Sequence, residues 1–202
     1  MIYNKNNFQI ADLAPKEGGY YQDGVHVTND YTEVTNGHYV VRVSTPKDGK
    51  KLVEEFPFGI GKKPVELEKN GCIISSKFAK AVSDAIPKKP TLPVLENTVT
   101  VESAKDDIEF AVTYLDGTRF LRGRKVDSKF PDIDAAIPKQ NSEHVVSVNP
   151  DYLIKILQQF KKMKIETVRF DFYDETQPIK ITGRDEKEQE CFALLMQMKT
   201  EY

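Results

Sequence analysis

The order of elements in the second part of the chain constrains its fold more than any single residue does. An apolar strand end, CIIS, runs into SKFAKAVSDAIPKKP, where Ser75 or Ser76 caps a helix carrying Phe78, Ala81, Val82 and Ala85 at helical spacing, and Pro87 stops it. NTVTVES, IEFAVTYLDG and RFLRGRKVD follow as three strands on short polar turns. Further on, EHVVSV, NPDYLIKILQQFKKMK, TVRFDFYD, PIKITGR and CFALLMQMK repeat that order, with Asn149 as helix cap and Pro150 at the first helical position. Residues 72–127 and 144–199 thus read as two copies of a strand, helix, three-strand unit. KFPDIDAAIPKQ, residues 129–140, is bracketed by prolines and reads as the joint between them.

Ahead of these copies, YYQDGVHVTNDYTEVTNGHYVVRVST alternates apolar and polar residues, with turn signals at Asp23-Gly24, Asn29-Asp30 and Asn36-Gly37. That is a β-meander. The following PKDGKKLVEEFPFGIGKKP reads as an exposed loop rich in Lys, Gly and Pro. The expected organisation is a meander and loop over residues 1–71, then a two-helix domain over residues 72–202. The fold class is α+β, with antiparallel sheets and two basic helices. The chain has 202 residues, of which 39% are hydrophobic, enough to bury a core in one or two globular units.

Charge gives no global case for nucleic-acid binding, because 29 Lys and Arg stand against 31 Asp and Glu. Placement matters more. In the second helix Leu153, Ile156, Leu157 and Phe160 form one apolar stripe, and Lys155, Lys161, Lys162 and Lys164 fall outside it. The first helix has Lys77 and Lys80 off its stripe, with Lys88 and Lys89 just beyond. Such faces could follow a phosphate backbone without reading bases, or they could be ordinary solvated faces of good helix formers.

Signals for chemistry are sparse. Cys72 and Cys191 have no Cys or His at metal-ligand spacing nearby, so neither a zinc site nor a disulfide framework is indicated. His26, His38 and His144 belong to no nucleophile or zinc signature, and His38, beside Asn36-Gly37, is the one that stands out. KDDIE and GRDEKEQE fit solvated hairpin tips, and GIGKKP lacks the strand and helix a phosphate loop needs. An enzyme is disfavoured, no cofactor is called for, and an enzyme on an α+β scaffold would have only His38 and scattered acids to work with. The N-terminus has no basic start followed by an apolar run, and no run of ~18 apolar residues occurs. A soluble, cytoplasmic protein is expected.

YYQDGVHVTNDYTEVTNGHYVVRVS, KFPDIDAAIPK, and NPDYLIKILQQF with the later PIKI and FALLMQMK resemble, in that order, the bacterial sliding clamp, the beta subunit of DNA polymerase III. The usual member carries three similar domains. This shorter chain looks like the later part of the middle domain joined directly to the later part of the last, without the helix that normally precedes YYQDGVHV. The resemblance implies a non-enzymatic, DNA-clamp-like protein of replication or repair that holds duplex DNA non-specifically. It assigns the DNA-facing role to Lys77, Lys80, Lys88, Lys89, Lys155, Lys161, Lys162 and Lys164. It also implies a hydrophobic pocket for linear peptides of polymerase or repair proteins. The matching positions are Thr35, Gly37, His38 and Val40, then Pro131, Ala135 and Ala136 in the connector, then Leu194, Met196 and Met198 in the last strand. Gln197 stands where the family usually has proline, and Ala135 where it often has a larger basic residue. Leu194, Met196 and Met198 could instead alternate because one strand face is core. With two such helices per chain, several copies would be needed to close a ring as a homo-oligomer. The alternative is a non-ring peptide-binding module, or a competitor for clamp partners.

Overall fold

Asn4 starts the first helix, at a point where the sequence carried no helix expectation. Its side chain accepts from the Asn6 N–H at 3.0 Å, while Asn7 Oδ1 accepts from the Asn4 N–H at 3.0 Å, a reciprocal cap built from asparagines. The computed structural model describes residues 1–15, 24–47, 49–57, 62–88, 91–140, 142, 145–174, 176–186 and 188–198. In chain order the first elements are strand β1 (Ile2–Asn4), helix α1 (Lys5–Gln9) with a 3-10 turn at Ile10–Leu13, then β2 (Gly24–Val27), β3 (Tyr31–Thr35), β4 (Val40–Ser44) and α2 (Gly49–Glu55). After them come β5 (Cys72–Ser75), α3 (Ser76–Ala85), β6 (Asn97–Val101), β7 (Asp107–Tyr114) and β8 (Gly117–Val126). The last are α4 (Pro150–Lys162), β9 (Arg169–Asp171), β10 (Ile179–Arg184) and β11 (Glu190–Leu195).

The chain divides into two compact units, Met1–Ile137 and Pro138–Tyr202. The boundary expected between residues 71 and 72 falls inside the first. There β5 pairs with both β2 and β8, so one antiparallel sheet of eight strands, in the order β1-β6-β7-β8-β5-β2-β3-β4, runs through that point. Unit 1 contains the strand, helix, three-strand order twice, from β1 to β4 and from β5 to β8. The halves exchange strands: β1 of the first pairs with β6 of the second, and β5 of the second pairs with β2 of the first. The meander and the α3 repeat therefore belong to one domain.

Two layers of core explain why β6 and β7 are buried on both faces. On one side Tyr3, Phe8, Ile10 and Ala11 of the first half meet Ala79, Val82, Ile86 and Phe110 of the second. On the other, Ile2, Val99, Val101 and Ala111 are covered by Val53 and Phe56. Two expectations are corrected here. The N-terminal segment is not a clamp half without its helix, because α1 and its 3-10 turn bury Phe8, Ile10 and Ala11 in the main core. The segment after Pro46 is not wholly loop, because α2 precedes the buried Phe56. Asn7 is buried and fully occupied: its Nδ2 donates to Thr32 Oγ1 at 3.3 Å, Val43 O at 3.1 Å and Ser44 O at 3.2 Å, which ties α1 to β3 and β4.

Unit 2 has the helix and three strands of that order once. Asn149 accepts from the N–H groups of Asp151 (2.9 Å) and Tyr152 (3.3 Å), and α4 packs Phe160 against Ile165, Ile179, Ile181 and Leu195. Gly183 permits the close approach, since a Cβ there would lie 2.7 Å from Ile165 and 3.2 Å from Phe160. Of the expected strand at EHVVSV, residues 145–148 are described and form no regular strand, but Ser147 O accepts from Met198 N–H at 2.7 Å, and Val146 and Val148 pack on the core. His144 lies outside the described residues.

Candidate functional site

The turn TNGHYV is fixed by its own polar side chains. Asn36 Oδ1 accepts from the N–H groups of His38 (3.0 Å) and Tyr39 (3.1 Å), and Thr35 Oγ1 donates to Tyr39 O at 2.7 Å while accepting from Gly37 N–H at 3.1 Å. Gly37 sits at φ 86°, a conformation that favours glycine. Thr35 is buried by this arrangement, whereas His38 and Val40 project into solvent. Tyr39 is exposed beside Val40 and donates its hydroxyl to Leu13 O, and Leu13 is itself exposed. Leu13 and Tyr39 thus extend the apolar patch beyond the residues expected from the sequence. The signal for Tyr39 was its place inside the quoted turn; Leu13 had none, because α1 brings it there.

The connector docks on the sheet of unit 1 through a buried carboxylate. Glu33, only 2% exposed, accepts from Arg42 Nε at 2.8 Å and contacts His26 Nδ1 at 2.8 Å. Arg42 Nη1 donates to Asp134 at 2.6 Å, and its guanidinium lies 3.9 Å from the centre of the Tyr31 ring. The His26 imidazole stacks on Phe130 at 4.7 Å, and its Nε2 faces Asn70 O at 2.8 Å. Both imidazole nitrogens face oxygens, the Glu33 carboxylate and the Asn70 carbonyl. Beyond this anchor Pro131 is half-buried, while Ala135 and Ala136 are exposed on a turn in which Ala136 N–H donates to Ile133 O at 2.9 Å.

In unit 2 the last strand shows which face its alternating residues use. Ala193 and Leu195 pack inward, and Leu194 (57% exposed), Met196 (63%) and Met198 (49%) point outward. They are not core. Phe192, 64% exposed, extends the same row and was missed, because alternation alone does not say which set is buried.

The lysines expected to face DNA are placed as follows. Lys77 and Lys88 are exposed in unit 1, whereas Lys80 is engaged by Asp12 of the 3-10 turn. Lys155, Lys161, Lys162 and Lys164 are exposed on or just beyond α4 in unit 2. Lys89 lies outside the described residues.

Burial pushes the Cys72 thiol up to about 11, only partly opposed by Lys125, so it stays protonated at neutral pH and is no thiolate nucleophile. Among the described residues no cluster of three His, Cys, Asp or Glu is placed to hold a metal ion. No described helix is long and apolar enough to cross a membrane.

The fold of this chain, two strand-exchanging halves followed by a further helix and three strands, matches part of the fold of sliding clamps. Solved structures similar to it include bacterial beta clamps. One is the Caulobacter crescentus beta sliding clamp, with TM-score 0.61, 16% identity, 98% of this chain covered and 50% of that one. The DNA polymerase sliding clamp of Pseudomonas aeruginosa gives TM-score 0.63 at 14% identity, over 99% of this chain and 52% of that one. The clamp of Bacillus subtilis gives TM-score 0.60 at 11% identity, over 98% and 48%. The chain thus has the clamp fold and spans about half the length of these proteins. Its sequence matches no family model and no curated protein.

Proposed function

We propose that the protein is a clamp-like, non-enzymatic scaffold that holds duplex DNA non-specifically during replication or repair. The observation that supports this most is the clamp fold carrying, on α4, a set of exposed lysines at Lys155, Lys161 and Lys162 off the apolar stripe. Lysines so placed bind phosphates and release counterions, with no base read. The Lys155→Glu, Lys161→Glu, Lys162→Glu triple variant is expected to lose low-salt binding to a random-sequence duplex in an anisotropy titration. Each lysine returned singly should restore about 0.9 to the slope of log affinity against log salt. Unchanged binding by the triple variant would rule out α4 as the DNA-facing surface. Closure around DNA would take several copies of the chain.

A second reading, a peptide-binding module, is favoured by the outward row Phe192, Leu194, Met196 and Met198 on β11 and beyond, and by the separate patch at His38 and Val40. Adaptable methionines beside aliphatic side chains suit capture of a short apolar peptide. A fluorescent clamp-binding peptide should bind the parent protein, and Met198→Ala or His38→Ala should weaken it by about five- to thirtyfold, or ~1–2 kcal/mol. A parent protein that binds no such peptide overturns this reading while leaving DNA binding untouched.

A further inference from the structure

Two Asn-Gly bonds occur in the chain, Asn36-Gly37 and Asn70-Gly71, both in unit 1. Such a bond is unusually open to deamidation, because glycine puts no side chain in the way of ring closure. The glycine nitrogen gives up its proton and bonds to the asparagine Cγ, while the Cγ–Nδ2 bond breaks and ammonia leaves with that proton. Water then opens the cyclic succinimide at either carbonyl, to aspartate or to isoaspartate. A water is consumed and an ammonia released, and nothing is oxidised or reduced.

The fold treats the two bonds differently. At Asn36 the carboxamide is anchored, with Oδ1 accepting from the His38 and Tyr39 N–H groups, and the Gly37 hydrogen that must leave is held by the buried Thr35 Oγ1 at 3.1 Å. The Asn70 side chain is exposed, and its carboxamide has no hydrogen-bond partner among the described residues. Gly71 N–H donates to Glu68 O at 2.8 Å, a bond that closes a turn of exposed residues. A turn closed by one backbone bond opens more readily than one locked by several side-chain bonds. Ring closure at Asn70 therefore has to break less of the fold.

We propose that Asn70 is a site of deamidation, and that its conversion to isoaspartate loosens the connector where Phe130 is seated. The main-chain carbonyl of Asn70 faces His26 Nε2 at 2.8 Å, and the His26 ring stacks on Phe130 at 4.7 Å. In isoaspartate the main chain runs through the former side chain and is longer by a methylene. The carbonyl that faced His26 becomes a free carboxylate, set off the chain. Gly71 cannot take up the extra length by moving onto β2: it sits at φ 64°, and a Cβ there would already lie 2.2 Å from Val27 O. The displacement falls on residue 70, and the His26 ring loses the contact that fixes its outer edge against the connector.

Ageing the whole chain in warm, mildly alkaline buffer tests this, with samples digested briefly at low pH and mapped by tandem mass spectrometry. Conversion at residue 70 is expected to outrun conversion at residue 36 by roughly tenfold, the scale set by the hydrogen bonds that anchor Asn36. Limited trypsin cleavage at the exposed Lys129 should then be faster in the aged parent than in the fresh one. Asn70→Gln, whose longer side chain cannot close the same ring and already meets solvent, should keep its fresh cleavage rate after the same treatment. An Asn70 that stays an amide, an Asn36 that converts as fast, or an aged parent cut at Lys129 no faster than the fresh protein overturns the proposal. None of these results depends on DNA or peptide binding.

Discussion

Replacing Phe110 with alanine is expected to destabilise unit 1 by about 3–5 kcal/mol, read as a lower urea midpoint at an unchanged slope. Phe110 is fully buried on β7, at 5.2 Å from Phe8, 5.9 Å from Tyr3 and 6.0 Å from Phe78, ring centre to ring centre. Phe8 and Tyr3 come from the first half of the unit, Phe78 and Phe110 from the second. Two of the contacts, to Tyr3 and Phe8, are edge-on at 80°, the arrangement the ring quadrupoles favour. Truncation opens a cavity where the halves meet, and neighbours drawn from two exchanged sets of strands have little freedom to close it. Phe192→Ala on β11, where the ring is 64% exposed, should shift stability by less than about 0.5 kcal/mol. A Phe110→Ala cost as small as that would mean the halves are held by their strand pairing rather than by this cluster.

What could be read in advance was local. Ser75 and Asn149 announce α3 and α4, and alternation announces β3, β4, β7, β8, β10 and β11, because a cap and a period of two act over a few residues. α1 escaped because NKNN has weak helix propensity and its cap uses asparagine twice. Its helical state is secured by long-range partners, Asn7 on β3 and β4 and Phe8 in the core. The domain boundary escaped for a related reason. Nothing near Cys72 reveals that its strand pairs with Gly24–Val27 rather than opening a new domain. In the candidate site, residue types were legible and their exposure was not. The sequence shows Leu194, Met196 and Met198 two apart, but only the inward packing of Leu195 and Ala193 puts the methionines outside. Lys80 reads as a free cation until Asp12, sixty-eight residues away, is folded beside it.

Glu33→Ala is expected to cost about 2–3 kcal/mol and to release the connector, although residue 33 lies in β3 and touches no connector atom through a hydrogen bond of its own. The carboxylate is buried at 2% exposure between His26, 13% exposed, and Arg42, 26% exposed. Removing it leaves the Arg42 guanidinium and the His26 ring without the acceptor they share and frees Arg42 to leave the geometry in which it reaches Asp134. His26 loses the contact that holds its ring flat against Phe130. Limited trypsin digestion at the flanking Lys129 and Lys139 should therefore accelerate in the Glu33→Ala protein. Asp134→Ala removes the connector's own, 64% exposed end of the chain of ion pairs and should cost no more than about 1 kcal/mol. The order of the two effects is the informative result. If Asp134→Ala frees the connector more than Glu33→Ala does, the connector is held by its surface ion pair. If Glu33 dominates, its buried carboxylate sets the position of His26 and Arg42, and through them the placement of Pro131, Ala135 and Ala136.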